Sequence, residues 1–111
     1  MFSIEAGNII KVTRGDTLPL AVSLTKGDTE YTPRSGDAIR FAISTGYKGQ
    51  KNYKLILTKD IPTDSLTFEL SADETQSLAD ARYNYDVQIT YADGDVETFV
   101  SSVLLMLDEV E

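Results

Sequence analysis

Apolar residues recur at every second position in run after run of this 111-residue chain. That is the pattern of a β-strand with one face buried and the other wet. Leu18, Leu20, Val22 and Leu24 form the clearest run, and Ile39, Phe41 and Ile43 repeat it. Leu55 and Leu57 follow, then Leu66, Phe68 and Leu70, then Tyr83, Tyr85, Val87, Ile89 and Tyr91. Ile9 to Thr13 near the start and Val96 to Leu107 at the finish add two more, with Phe2 to Ala6 as a separate short piece. About seven strands are predicted, in one domain spanning residues 1–111, because a chain of this length supports a single core.

Turn chemistry separates the runs. Gly-Asp recurs as Gly15-Asp16, Gly27-Asp28, Gly36-Asp37 and Gly94-Asp95, each just ahead of a strand or inside a hairpin, at spacings too uneven for a repeat. Glycine tolerates positive φ, and the Asp carboxylate bonds nearby backbone N–H groups. Asp93-Gly94 between Tyr91 and Val96 predicts a hairpin with a type I′ turn, and Pro33-Arg34-Ser35-Gly36 predicts another turn. The longest irregular stretch, Gly46 to Asn52, carries lysines on an otherwise acidic chain and is predicted to be an exposed loop. Ser71-Ala72-Asp73-Glu74 has the spacing of a capping box and predicts one short helix near 72–79. This helix falls between the fifth and sixth strands, where a sandwich crosses from one sheet to the other. Tyr83 or Tyr85 then stands where immunoglobulin-like domains place a tyrosine whose hydroxyl bonds backbone upstream. The expected fold is all-β: an immunoglobulin-like β-sandwich of about seven antiparallel strands with one corner helix.

Composition removes much chemistry. The chain has no Cys and no His, which excludes disulfides, thiol nucleophiles, Cys or His zinc sites and every Ser-His couple. A net charge of −8 repels phosphate backbones and anionic headgroups, so neither nucleic acid nor a membrane surface is an expected partner. The longest apolar run, Val103 to Leu107, falls far short of the ~20 residues of a membrane helix. The first residues have neither the basic nor the apolar region of a signal peptide, which predicts a chain made and kept in a cytosol.

The order of short motifs also resembles a known family. Ile10-Lys11-Val12-Thr13-Arg14-Gly15-Asp16-Thr17, Tyr31-Thr32-Pro33, Gly36-Asp37-Ala38-Ile39-Arg40-Phe41, Lys59-Asp60-Ile61, Thr75 to Leu78, Tyr83-Asn84-Tyr85-Asp86-Val87 and Gly94 to Thr98 look like tailed-bacteriophage and prophage proteins. In particular, the stretch from about 9 to 107 is similar to the N-terminal immunoglobulin-like domain of phage baseplate upper proteins. Members of that family continue into further domains. The resemblance implies a non-catalytic structural module of a tail or baseplate, docking on other virion proteins, without cofactor, and located in the virion.

Other features invite sharper readings. Arg14-Gly15-Asp16 matches the integrin-binding tripeptide, yet an Arg before a Gly-Asp turn is also what a plain strand connection looks like. Asp93, Asp95 and Glu97 offer oxygens to Ca²⁺ but lack the longer register of an EF-hand loop, and a hairpin turn is the simpler reading. Most acids fall in turns or on outward strand positions, so a solvated face is favoured over the paired carboxylates of a hydrolase. Tyr47, Lys48, Lys51 and Tyr53 define a candidate ligand loop over 46–54, the basis of an alternative carbohydrate- or ligand-binding reading. Val103, Leu104, Leu105, Met106 and Leu107 are apolar on both faces of a strand expected at a sheet edge. Either Phe2 to Ile10 covers the second face or a neighbouring subunit does, with Asp108-Glu109-Val110-Glu111 as gatekeeper. A homo-oligomer contacting through this strand is expected.

Overall fold

The computed structural model describes residues 2–26 and 28–108. Along them run β1 (Phe2–Glu5), β2 (Ile9–Thr13), β3 (Leu18–Ala21), β4 (Thr25–Lys26), β5 (Thr29–Glu30), β6 (Ala38–Thr45), β7 (Lys54–Ile61), β8 (Thr67–Leu70), α1 (Ala72–Ser77), β9 (Arg82–Thr90) and β10 (Val96–Leu107). The protein is mostly β. Six strands form one sheet in the order β1-β2-β10-β9-β6-β7, β3 pairs with β8, and β4 with β5. Every run of alternating residues becomes a strand, and β1 is the expected separate piece. The tiny β4–β5 hairpin has no alternation to announce it.

Alternation places the core. Tyr83, Tyr85, Val87 and Ile89 of β9, Ile39, Phe41 and Ile43 of β6, and Leu104 and Met106 of β10 face Leu18, Leu20 and Leu70 of the small sheet in one apolar cluster. β3 is shorter than the run from Leu18 to Leu24 predicts. Its partner β8 begins only at Thr67, because Leu66 holds φ 56°, a left-handed conformation rare for a bulky residue. There the Leu66 amide donates to Pro62 C=O, and its carbonyl accepts from Val22 N–H. Leu24 still reaches the core, so the side-chain pattern outlasts the ladder.

Two expectations about β10 are corrected. Its pairing with β2 is parallel, so the strands are not all antiparallel; a parallel pair needs a long connection, and the whole chain from Arg14 to Asp95 provides it. Nor is β10 an edge strand: it lies between β2 and β9, and the edges of the large sheet are β1 and β7. The N-terminal segment therefore extends the sheet beside β10 instead of covering its face. Leu104 and Met106 point into the core, Val103 and Leu105 are half-buried, and Leu107 is exposed. Glu109–Glu111 of the acidic tail and Gly27 of the second Gly-Asp pair lie outside the described residues.

The corner forms as its sequence dictates, with α1 ending at Ser77, two residues before 79. Ser71 Oγ accepts from Glu74 N–H at 3.1 Å, and Glu74 Oε1 accepts from Ser71 N–H at 2.9 Å, the reciprocal capping box. The helix joins β8 of the small sheet to β9 of the large one. Tyr83 Oη accepts from Asp80 N–H at 2.9 Å, three residues upstream. Tyr85 Oη donates to Asn8 C=O. The 91–95 hairpin differs from expectation: Gly94 holds φ 96° but Asp93 does not hold positive φ, and a type I′ turn needs both. Gly94 N–H donates to Tyr91 C=O and Tyr91 N–H to Asp95 C=O, the pattern of a three-residue loop closed by a left-handed glycine.

Candidate functional site

Arg14-Gly15-Asp16 turns out to be a structural lock. No basic residue stands in the last turn of α1, and Arg14 supplies the missing positive charge from another element. Its Nε donates to Leu78 C=O at 2.9 Å, and its Nη2 to Asp80 C=O at 3.0 Å and Ala79 C=O at 3.3 Å, while Nη1 pairs with Asp108. Cations are favoured at a helix C-terminus, where carbonyls lack intrahelical donors. Gly15 N–H donates to Thr75 Oγ1 at 3.1 Å, and that fully buried hydroxyl donates to Asp16 C=O at 2.8 Å. With φ at 90° and only 2.7 Å between an added Cβ and Gln76 Oε1, position 15 requires glycine. The tripeptide is occupied in binding its own chain.

Two grooves lie at opposite ends of β6 and β9. One end is the 46–54 loop. Gly46 holds φ 73°, and a Cβ there would sit 2.5 Å from Asn52 C=O, so the loop closes tightly on itself. Asn84 Nδ2 anchors it by donating to Gly46 C=O at 2.7 Å, and Lys48 pairs with Asp86 at 3.1 Å. Tyr47 stands 64% exposed, whereas Tyr53 is half-buried. Both line a groove of about 390 Å³ with Lys48, Arg82, Asn84 and Asp86. Among the described residues Lys51, Lys54 and Arg82 make no ion pair. Of the predicted ligand residues, Tyr47, Lys48 and Tyr53 share the groove, and Lys51 lies outside it on the loop.

The opposite end carries a second groove, of about 520 Å³, lined by Lys26, Tyr31, Arg34, Asp37, Tyr91 and Asp95 among others. Tyr31 and Tyr91 meet edge to face with centroids 5.7 Å apart, and Lys26 Nζ lies 4.2 Å from the Tyr91 centroid and 5.0 Å from that of Tyr31. Asp37 ties the two connections together, accepting from Tyr31 Oη, from Arg34 N–H at 2.9 Å and from Ala92 N–H at 3.1 Å. The Arg34 amide and then the Tyr31 hydroxyl hold the Asp37 carboxyl below its ordinary range. In return Asp37 pushes the Tyr31 phenol up to about 12. The Ca²⁺ candidates sit here too: Asp93 Oδ1 accepts from Asp95 N–H at 2.9 Å, and Glu97 accepts from Tyr91 Oη. Among the described residues no three carboxylates are grouped to hold a metal ion.

Sequence reasoning missed this second groove, because Lys26 and Tyr31 lie far from Tyr91 along the chain and only the register of β6 on β9, Ala38 opposite Thr90, brings them together. A signal is present in the two Gly-Asp turns at Asp37 and Asp95, both of which line the groove. Among the predicted interface residues, Leu104 and Met106 are core positions, which leaves Val103, Leu105 and Leu107 with surface to offer. No family model, no curated protein and no solved structure matches the chain.

Proposed function

We propose that the protein is a non-catalytic, immunoglobulin-like docking module, a structural component of a phage or prophage tail or baseplate. The observation that carries the fold reading is strand order. β6, β9 and β10 lie side by side with β7 beyond β6, β3 pairs with β8, and a helix crosses from β8 to β9, an order that supports the immunoglobulin-like reading. The Tyr83 bond to backbone at that corner supports it. Docking through loops fits the way β7 and β3 are guarded. β7 carries a bulge opposite Ile43 and Ser44 and an inward Lys59 paired with Glu74 at 2.6 Å, and Pro19 removes a donor from β3. Such features discourage strand addition. The virion assignment rests on the order of short motifs and is tested on particles purified from the bacterium that encodes the chain. Copurification at fixed stoichiometry, with antibody label at one end of the particle, is the expected result. Expression in the cells without incorporation into particles would overturn it.

A second reading, a glycan-binding module, is favoured by one observation, the exposed Tyr47 beside Asn84 and Asp86 in a polar groove. Saturable glycan binding abolished by Tyr47→Ala and Tyr53→Ala would replace docking with this reading.

A further inference from the structure

The two grooved ends are complementary. Antiparallel β6 and β9 set them apart, since Thr45 and Arg82 stand at one end of the pair and Ala38 and Thr90 at the other. At the first end an exposed tyrosine projects on a loop with Lys48 and Lys51, next to Lys54 and Arg82. At the second, Asp37, Asp93 and Asp95 line the groove with Lys26, Arg34 and the Tyr31–Tyr91 pair, and exposed Asp28, Glu30 and Glu97 add carboxylates on the adjoining segments outside it. One end is a basic projection and the other an acidic hollow, on a chain whose net charge is −8.

We propose that the 46–54 loop of one copy seats in the Tyr31–Tyr91 groove of the next, joining copies head to tail. This rests on the docking reading and names the partner as a second copy. Opposite charges meet only in that orientation; pairing like ends would set lysine against lysine or carboxylate against carboxylate, a costly juxtaposition. The contact joins two different patches, so it repeats, closing into a ring or extending as a filament according to the rotation between copies. Tyr47, an anchor type enriched in binding hot spots, would reach the Tyr31–Tyr91 pair by displacing Lys26, whose Nζ lies 4.2 Å from the Tyr91 centroid.

The test is absolute mass by light scattering across a wide concentration range, using the full chain. At low salt the mass of the native chain should rise with concentration, and it should fall back at roughly 1 M salt, where the Debye length is about 3 Å. Lys48→Glu with Lys51→Glu should weaken association by about tenfold or more, as should Asp93→Lys with Asp95→Lys. An equimolar mixture of the two variants should associate again, because each carries the end that complements the other. Because Asp93 also closes its own turn, Asp95→Lys alone serves if the double variant melts early. A mixture that stays monomeric, or either variant associating like the native chain, overturns the proposal. A native chain that is monomeric at every concentration overturns it too, yet leaves docking on other virion proteins to be decided by particle labelling.

Discussion

Replacing Arg14 by Met keeps the apolar stem of the side chain and removes its guanidinium. Arg14 is 16% exposed, and of the carbonyls it would abandon, that of buried Leu78 is the one water reaches poorly, whereas Ala79 and Asp80 are exposed. All three lose a charged donor. Bonds to charged groups contribute about 1.5–3 kcal/mol each when well formed. The 3.3 Å contact adds little, and part of the remainder returns through solvation of Asp80. A net loss of about 2–3 kcal/mol follows, equivalent to about 8–12 °C in Tm for a domain of this size. The Asp108 pair contributes little to this figure, since that carboxylate is 91% exposed and such pairs are worth about 0–1 kcal/mol. Calorimetry on Arg14→Met, Arg14→Lys and Asp108→Asn checks the reasoning. Lys brings one compact ammonium where a planar fork is needed, so Arg14→Lys should fall between native and Arg14→Met, while Asp108→Asn stays near native. A loss below about 0.5 kcal/mol for Arg14→Met would refute the helix-end lock, as would Asp108→Asn matching it.

Thr75→Val keeps the shape of a fully buried side chain but strands Gly15 N–H. A loss of about 1–3 kcal/mol in denaturant unfolding is expected, and no loss would mean that the Gly15 contact is idle. The Glu74 carboxyl is held below its ordinary 4.5, first by Lys59 and then by the Ser71 amide. A depressed carboxylate stabilises above its unfolded value and loses that contribution as pH falls through the folded one. Stability should therefore drop on acidification below about 4.5, and Glu74→Gln should flatten that slope in acid titrations followed by circular dichroism. Phenolate absorbance should show Tyr31 ionising at about 12, and Asp37→Asn should bring it down toward 10, the ordinary tyrosine value. Met106→Asp should unfold the monomer, because Met106 is 5% exposed, whereas Leu107→Asp should leave it folded.

Strand existence and facing were legible because alternation is a local pattern with one interpretation once a core exists. The capping box was legible for the same reason, since Ser71 and Glu74 bond within four residues. What was not legible lies between distant segments. Val103 to Leu107 read as an edge because nothing local announces that β2 pairs beside β10; the two flanking strands satisfy its backbone and leave Val103 and Leu105 half-buried on the outer face. Arg14 read as part of a plain turn because its partners at Leu78 and Asp80 become neighbours only when the corner folds back. The groove at Tyr31 and Tyr91 stayed hidden for that reason too: its floor is assembled from two connections joined through Asp37.

Contact between copies is proposed to run through the two loop-bearing ends. Backbone amide spectra of isotopically labelled protein, recorded while concentration is raised at low salt, test it residue by residue. Amides of 46–54 and of 91–95 should shift or broaden together, with the rest of β7 and the Arg14 corner unchanged. Changes confined to Phe2–Glu5, where Phe2 and Ile4 are exposed on the sheet edge, would place the contact on that strand and contradict the account.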